Sequence, residues 1–434
     1  MTTPQVVSLA VLLAVVAALI SGRFRSEVVA LSGAAVLLGS GALRPVEVQA
    51  AFASPAIIAL ASLFVICRAM ELSGLLGVLI RAGVRGCSRL GAAGLWLMIA
   101  LSGVASAFLN NTPIVVLGAP VVKDIAEQMG LSAKRFLIPL SYVTILGGAC
   151  TLIGTSTNLL VNDMARSGGQ PGFGVFEMTP VALVIGLVGA VYLFLFSGQL
   201  LSAGRTGESE SPALGPADAE LNDPRDDPRM YPADAPLRVG RAAASLLVFV
   251  GVVAAAALGV APIAAAAFAG AVLLVAMRVI TPEEAYQGLR PEILLLIAGM
   301  VVVGLSLEVT GLAAAATETL ASGTRALGPL AALALIYGAT LFLTEILSNA
   351  AVAVLLTPVA IALAESLGVS PRPFLVAVMM AASAAFATPF GYQTNVLVYQ
   401  LGRYAYVDFL KIGLPLSVLT WAAGVAAIPY FFPF

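Results

Sequence analysis

Long apolar stretches, each about the length of a membrane span, follow one another along the chain from Val6 to Pro429. Roughly ten of them can be counted, and several are interrupted by glycine, proline or short polar groups. Stretches such as Val181 to Phe196 are continuously apolar and do not alternate with polar residues, which favours buried or membrane helices over strands. The pattern predicts an all-α polytopic membrane protein.

Composition supports this prediction. Of 434 residues, 60% are hydrophobic and 10% are charged, which is too apolar for a soluble domain of this length. The first apolar run has no basic residue before it, and Arg23 and Arg25 follow it, the reverse of the charge order in a secretory signal. We therefore expect this run to be the first span.

Several classes of site are excluded by the residues that the chain lacks. It contains no histidine, so histidine metal centres and Ser-His-Asp triads cannot form. It also contains no G-x-x-x-x-G-K-[ST] motif for nucleotide phosphates. We predict that the protein is not an enzyme and needs no cofactor.

A polar stretch divides the chain into two units. Residues 202–240 are rich in proline, aspartate and glycine, a composition that cannot support a packed core. We predict a first transmembrane unit at residues 1–201, a disordered cytoplasmic linker at residues 202–240, and a second transmembrane unit at residues 241–434.

The two units repeat each other. Asn111 in the first unit corresponds to Asn349 in the second, and neighbouring residues match at the same offset. After a slip of one position, "GTSTNLLV" from residue 154 faces "GYQTNVLV" from residue 391. The repetition predicts two structurally related halves.

An odd number of crossings in each half would turn the second half over in the membrane. We expect about five crossings per half if the stretch around each asparagine is a re-entrant hairpin, which enters and leaves by one face. Placing Arg23 and Arg25 in the cytoplasm puts the following basic residues on the same side: Arg68, Arg81, Arg85, Arg89, Lys134, Arg135, Arg205, Arg225, Arg229, Arg238, Arg241, Arg278, Arg290, Arg403 and Lys411. The exceptions are Arg44, Arg166, Arg325 and Arg372 outside, and Lys123 within the first hairpin.

This bias follows the positive-inside rule and predicts a multi-pass protein of the plasma membrane with both termini outside. Two inverted-topology repeats are the architecture of many secondary transporters.

Polar residues are expected where a helix ends inside the membrane, because unpaired backbone groups cost several kcal/mol each there. In "FLNNTPIVV", Thr112 fits an N-cap and Pro113 the first helical position, so one helix ends and another begins at the asparagines. In "EILSNAAVA", Ser348 and Asn349 offer the same chemistry. These two motifs predict the tips of the hairpins.

Two further breaks are expected at "GGACTLIGTSTNLL" (147–160) and "FATPFGYQTNVL" (386–397), where glycine or proline stands with Thr-Asn inside a span. Helix N-termini at such breaks favour an anion, and C-termini favour a cation. The pattern predicts a site for an anionic substrate together with a small cation such as sodium. Glu345 lies beside the second tip and is either a structurally paired carboxylate or a coupling residue.

The motifs "FLTEILSN", "GGACTLIGTSTN" and "ATPFGYQTN" resemble the divalent anion/sodium symporter family, which includes sodium-coupled sulfate and di- and tricarboxylate transporters of the ion-transporter superfamily. The resemblance covers nearly the whole chain apart from the linker. It implies a homodimer in the lipid bilayer, with a scaffold and a mobile domain in each protomer that carries the site across by an elevator mechanism. No nucleic-acid partner is expected.

The resemblance also implies a set of ligands at the tips and breaks. The implied sodium ligands are Ser106, Asn110, Asn111, Gly148, Thr344, Ser348, Asn349 and Ala387. The implied substrate contacts are Asn111, Thr112, Thr157, Asn158, Asn349, Ala350, Thr388, Pro389, Thr394 and Asn395. Two positions depart from the family pattern, because Asn110 replaces a serine and Ala350 replaces a threonine whose hydroxyl is expected to touch the substrate.

The function predicted from these features is sodium-coupled symport of a divalent anion, with sulfate ahead of C4-dicarboxylates and citrate. A proton-coupled or exchange carrier that uses Glu345 is the alternative. An anion channel is disfavoured, because paired hairpins do not provide the continuous polar pore that a channel needs.

Overall fold

The computed structural model describes residues 2–21, 24–75, 78, 91–201, 237–312, 328–389 and 391–434. All regular structure in these ranges is helical, which confirms the predicted all-α class. Most of the predicted linker lies outside the described residues, and so do Arg23, Arg81, Arg85, Arg89, Arg205, Arg225, Arg229 and Arg325.

The helices divide into two series, one before and one after the linker. The first series comprises α1 (Thr3–Ser21), α2 (Ser26–Gly39), α3 (Pro45–Phe52), α4 (Pro55–Leu72), α5 (Ala92–Ser106), α6 (Asn111–Gln128), α7 (Lys134–Gly148), α8 (Ser156–Ser167) and α9 (Thr179–Leu201). The second comprises α10 (Val239–Ala257), α11 (Ile263–Ala276), α12 (Pro282–Gly288), α13 (Pro291–Val309), α14 (Pro329–Thr344), α15 (Asn349–Ser366), α16 (Arg372–Ala382), α17 (Gln393–Leu401) and α18 (Tyr406–Phe431). Helix α10 begins at Val239, so the helix starts slightly earlier than the predicted unit boundary.

Several helices are suited to a membrane. Among the described residues, 5 helical stretches are long and apolar enough to cross one: Pro45–Leu72, Thr179–Leu201, Val239–Ala257, Asn349–Ser366 and Tyr406–Phe431. Shorter apolar helices, such as α5 and α14, accompany them. Large apolar side chains on the outside, including Leu187 and Leu247, are the surface that lipid would cover. The number of crossings stays a prediction.

The helices pack in two groups. In one group α2 lies on α13 and α11 lies on α4; in the other, α5 and α6 lie on α7, α14 and α15 lie on α16, and α9 lies on α18. The groups meet where α13 contacts α15 and α4 contacts α8. The second group contains both asparagine motifs and both predicted breaks.

Helices from opposite halves of the chain meet at the tips. Helix α17 of the second series packs on α6 of the first, and α8 of the first packs on α15 of the second. Each asparagine tip is therefore completed by a helix that begins at the break of the other half.

The predicted interruptions are confirmed. Helix α5 ends at Ser106 and α6 begins at Asn111, while breaks at residues 149–155 and 383–392 separate α7 from α8 and α16 from α17. The N-cap assigned to Thr112 is wrong, because Asn110 holds that position and its side-chain oxygen accepts from the Thr112 N–H at 3.4 Å. The first helical position assigned to Pro113 is wrong too, because the helix begins at Asn111. The shift is physically simple, since a carboxamide oxygen caps as well as a hydroxyl and the motif offers both.

The second tip begins as predicted. Ser348 is the N-cap of α15, and its hydroxyl oxygen accepts from the Ala351 N–H at 3.3 Å. One of the first free N–H groups of the helix is thereby paired without water.

Candidate functional site

The first tip fixes the Asn111 carboxamide in one orientation. Asn111 is only 1% exposed, and its Oδ1 accepts a short hydrogen bond from the Ser106 hydroxyl. Its Nδ2 donates to the Tyr392 hydroxyl at 2.8 Å. The amide oxygen therefore faces the end of α5, and the nitrogen faces α17.

Oxygen atoms converge beside this amide. A methyl group on Gly148 would lie 2.6 Å from Asn111 Oδ1. A methyl group on Gly154 would lie within 3.0 Å of the carbonyl oxygens of Gly148, Ala107 and Ser106. Only glycine leaves this space open, and the surrounding amide, hydroxyl and carbonyl oxygens are the hard neutral ligands that suit a small cation. Ser106, Asn111 and Gly148 are thus brought together as predicted.

The second tip is arranged differently. The Thr344 hydroxyl donates to the Ala382 carbonyl at 2.6 Å. The Asn349 amide satisfies its surroundings when its nitrogen donates to Thr344 Oγ1 at 2.8 Å and to the carbonyls of Ala382 and Gly391 at 3.3 Å each. A nitrogen therefore occupies the position that an oxygen occupies at the first tip, so the second tip offers a cation fewer ligands.

The Glu345 carboxylate binds the second break. It accepts from the backbone N–H groups of Phe386 and Ala387 at 2.8 Å each. It also accepts from both the N–H and the hydroxyl of Thr388 at 2.9 Å each. These N–H groups have no helical partner because the chain is unwound there, so the carboxylate supplies the acceptors that the break lacks. Of the two interpretations of Glu345, the geometry favours the structural one.

The asparagines of the breaks also bind the backbone. Asn158 Nδ2 donates to the Thr151 carbonyl at 2.9 Å, and Asn395 Nδ2 donates to the Ala385 carbonyl at 2.8 Å. Asn395 Oδ1 accepts from the Ser141 hydroxyl at 2.7 Å. Within the part of the chain that the structure describes, Asn158 Oδ1 has no partner.

The neighbouring threonines are similarly enclosed. Thr157 and Thr394 are buried, and Thr394 Oγ1 lies 2.8 Å from the Ser141 hydroxyl oxygen. Pro389 is buried beside the half-buried Thr388. These side chains shape the breaks, and their contact with a substrate stays a prediction.

Residues 391–393 lie between the two tips. At the second tip, the Asn349 amide nitrogen donates to the Gly391 carbonyl. At the first tip, the Tyr392 hydroxyl accepts from Asn111. Gln393 Oε1 accepts from the Thr112 hydroxyl at 3.4 Å. Both tips therefore border one short segment, which gives a site where groups from the two halves act together.

Four residues at the site were not predicted as ligands: Thr151, Tyr392, Gln393 and Arg290. The Thr151 hydroxyl donates to the Ala107 carbonyl and accepts from the Gly154 N–H at 3.0 Å. Aligning the two breaks places Thr151 opposite Thr388, so the repeat carried a signal for it. Arg290 donates to Gln393 Oε1 at 3.1 Å, and no sequence pattern links this pair.

Comparison with known proteins gives relatives over nearly the whole chain. A family model described as citrate transporter matches residues 16–366 and 346–433. The uncharacterized transporter sll0640 of Synechocystis sp. is 26% identical in an alignment that covers 89% of this chain and 90% of the relative. Sodium/sulfate cotransporter 1 of Chlamydomonas reinhardtii is 40% identical over 105 residues, or 23% of this chain and 12% of the relative.

A solved structure shares the fold. The crystal structure of the YdaH transporter of Alcanivorax borkumensis superposes with a TM-score of 0.63 at 15% identity, covering 88% of this chain and 86% of that chain. At this identity the likeness concerns the arrangement of helices and not their chemistry.

Proposed function

Because this chain belongs to the citrate transporter family, we propose that it is a sodium-coupled symporter of a divalent anion, with sulfate ahead of C4-dicarboxylates and citrate. The family match confirms the resemblance to the ion-transporter superfamily that the motifs indicated. The chain is accordingly a multi-pass membrane transport protein and not an enzyme. The coupling ion, the substrate and the mechanism are the proposed part.

The observation that carries the proposal is the group of oxygens at the first tip. Ser106, Asn111 and the carbonyls around Gly154 offer a compact set of neutral oxygen ligands in a buried place. A buried cluster of acceptors is costly unless donors or a cation satisfy it. Sodium fits this cluster by its hardness, and neutral ligands allow it to be released again.

The anion would lie next to the cation. Helices α6 and α17 both begin at the site, so their free N–H groups and partial positive charge favour an anion there. The Thr112 hydroxyl adds a donor, while Ala350 offers none at the second tip. A small tetrahedral oxyanion needs fewer spread-out donors than a long dicarboxylate, and the sodium/sulfate cotransporter relative supports the same preference.

Inverted repeats and elevator movement are part of the proposal. The two helix series follow the same order, and Ser106 lies against Asn111 at the same place in its half as Thr344 lies against Asn349, although the amide accepts at the first tip and donates at the second. A site built from two inverted halves opens to alternate faces when one group of helices moves against the other. A homodimer in the plasma membrane, with the linker in the cytoplasm, completes the proposed arrangement.

The proton-coupled alternative receives less support. A carboxylate that accepts four hydrogen bonds uses both of its oxygens as acceptors, which favours the ionised form over one that carries a proton. Glu345 would have to lose several of these bonds each time it took up a proton. The geometry therefore supports a structural role for Glu345 over one as the proton carrier.

Uptake into proteoliposomes tests the proposal. Purified protein is reconstituted, and uptake of labelled sulfate, succinate and citrate is measured with a sodium gradient, with a pH gradient, and with neither. We expect sulfate uptake that requires sodium on the same side. Uptake driven by a pH gradient without sodium would show that protons, and not sodium, are the coupling ion. Uptake of none of the three anions would overturn the proposed substrate class.

A further inference from the structure

Two donors converge on one exposed amide oxygen at the first tip. Gln393 Oε1 accepts from Arg290 Nη1 at 3.1 Å and from Thr112 Oγ1 at 3.4 Å. Gln393 is exposed, whereas Arg290 and Thr112 are half-buried. A guanidinium and a hydroxyl thus share a neutral acceptor on a side chain that solvent can reach.

A neutral amide oxygen is a weaker acceptor for a guanidinium than an anionic oxygen is. Hydrogen bonds between ionised partners are shorter and roughly twice as strong as neutral ones. An arginine can also present two parallel N–H groups to a sulfate or carboxylate group, which a single amide oxygen cannot use fully. The position of Gln393 Oε1 is therefore better suited to an oxygen of an anionic ligand.

We propose that Arg290 is a substrate-binding residue, and that an oxygen of the transported anion replaces Gln393 Oε1 between Arg290 and Thr112. This inference rests on the proposed function and names the charged group that the substrate meets. The Arg290 side chain brings a positive charge to the divalent anion in addition to its interaction with Glu71. It also supplies hydrogen-bond donors to the anion, which the second tip lacks because Ala350 has no hydroxyl.

The adjacent cavity does not compete for this role. A small cavity is lined in part by Asn110, and its lining is largely apolar. Its one charged lining residue is Glu71, which pairs with Arg68 at 3.3 Å. Glu71 also interacts electrostatically with Arg290, so this carboxylate acts on both places. What distinguishes them is that two donors, Arg290 and Thr112, converge at Gln393 Oε1, whereas most of the cavity lining is apolar.

The position of Arg290 in the fold agrees with a binding role. It immediately precedes α13, which packs in the first helix group, whereas Gln393 begins α17 in the second group. An anion held between Arg290 and Thr112 would touch both groups. The substrate would then bridge the parts whose relative movement we propose for transport.

Variants of Gln393 test the inference without altering Arg290. Gln393→Glu places a tethered carboxylate between the two donors, so we expect sulfate to bind at least about tenfold more weakly. Gln393→Ala removes the competing amide, so we expect sulfate to bind several-fold more tightly. If Gln393 serves only to hold Arg290 in the fold, the order reverses, because the glutamate strengthens that pair and the alanine abolishes it.

Arg290→Gln completes the experiment, and we expect at least about a tenfold loss of sulfate affinity. Arg290→Lys keeps the charge but not the planar guanidinium, so its sulfate affinity should lie between those of the wild type and Arg290→Gln. This variant also tests the inference if Arg290→Gln fails to fold. Arg25→Gln removes an exposed arginine at the N-cap of α2 and is the matched control. Sulfate binding is measured as protection of the purified protein against thermal unfolding, alongside the KM for uptake into proteoliposomes.

The outcomes separate this inference from the proposed function. A wild-type protein that transports sulfate, with Arg290→Gln and Gln393→Glu showing unchanged affinity, overturns the role of Arg290 alone. A wild-type protein that binds none of sulfate, succinate and citrate overturns both.

Discussion

The side-chain nitrogen of Asn111 lies 2.8 Å from the Tyr392 hydroxyl, although 281 positions separate the two residues in the sequence. This bond connects the tip of one half to the N-cap residue of α17 in the other half. It also orients the Asn111 carboxamide, because the nitrogen donates to Tyr392 and the oxygen then faces Ser106.

Tyr392→Phe should weaken sodium binding without removing a sodium ligand. The ring is kept, but the Asn111 amide loses the acceptor that orients it, at a cost of about 1 kcal/mol. We expect the sodium concentration for half-maximal uptake to rise about fivefold. Tyr406→Phe, at the exposed start of α18, is the control. Unchanged sodium dependence in Tyr392→Phe would show that other contacts orient the amide.

Gly148→Ala should damage the proposed sodium site directly. The added methyl group would lie 2.6 Å from Asn111 Oδ1, so the amide must move away from the site. We expect sodium-driven uptake to fall at least about tenfold. Gly118→Ala is the matched control, because that methyl group meets only Leu140 Cδ2 at an ordinary 3.7 Å. Equal activities of the two variants would remove Gly148 from the site.

Glu345→Gln distinguishes a structural carboxylate from a proton carrier. The new amide nitrogen would face N–H or hydroxyl donors of the second break, so we expect a loss of about 3 kcal/mol in stability. Net uptake and anion exchange should both fall, at every pH at which the protein is assayed. They are measured by uptake and counterflow in proteoliposomes, with thermal unfolding as the check on folding. Retained exchange with abolished net uptake would instead identify Glu345 as the group that carries the proton.

Ala350→Thr should shift substrate preference toward succinate. It restores a hydroxyl to the second tip, where the other end of a long dicarboxylate needs a donor. We expect the ratio of succinate to sulfate affinity to rise about tenfold if the new bond contributes about 1.4 kcal/mol. Ala350→Val has the same shape without the hydroxyl and should not show this shift. Identical ratios for the threonine and valine variants in competition assays would show that Ala350 does not face the substrate.

Cysteine labelling tests the proposed membrane orientation. Arg25, Arg44 and Arg238 are exposed, and each can be replaced singly by cysteine after the 3 native cysteines are changed to alanine. An impermeant maleimide should label Arg25→Cys and Arg238→Cys from the cytoplasm and Arg44→Cys from outside. Labelling of all three from one face would contradict the predicted topology.

The places where helices break could be predicted from the sequence, since Asn, Ser and Thr beside Gly or Pro supply polar groups that can satisfy a helix end in an apolar setting. The choice of cap at the first tip could not, because Asn110 and Thr112 have similar capping ability and local packing decides between them. The sequence predicts that the break asparagines contact the substrate, and that contact stays a prediction. The sequence does not show that Asn158 and Asn395 also donate to backbone carbonyls, as the unwound segments need internal donors.

The sequence pattern could not predict contacts between residues that lie far apart in the chain. The contact between Arg290 and Gln393 spans 103 positions and depends on how α17 packs against α6 and approaches the start of α13. A basic residue near a helix start is ordinarily assigned by the positive-inside rule alone, which gives a side of the membrane and no partner.

The exchange of helices between the halves also has a consequence for biosynthesis. Ribosomes add roughly 5 to 20 residues per second, so Tyr392 is made roughly 15 to 55 s after Asn111. Throughout that interval the first tip lacks the hydroxyl that its amide binds, and α6 lacks the helix that covers it. The first half is therefore inserted with an incomplete set of hydrogen bonds at the first tip. Its final structure forms only after the last helices have been synthesised.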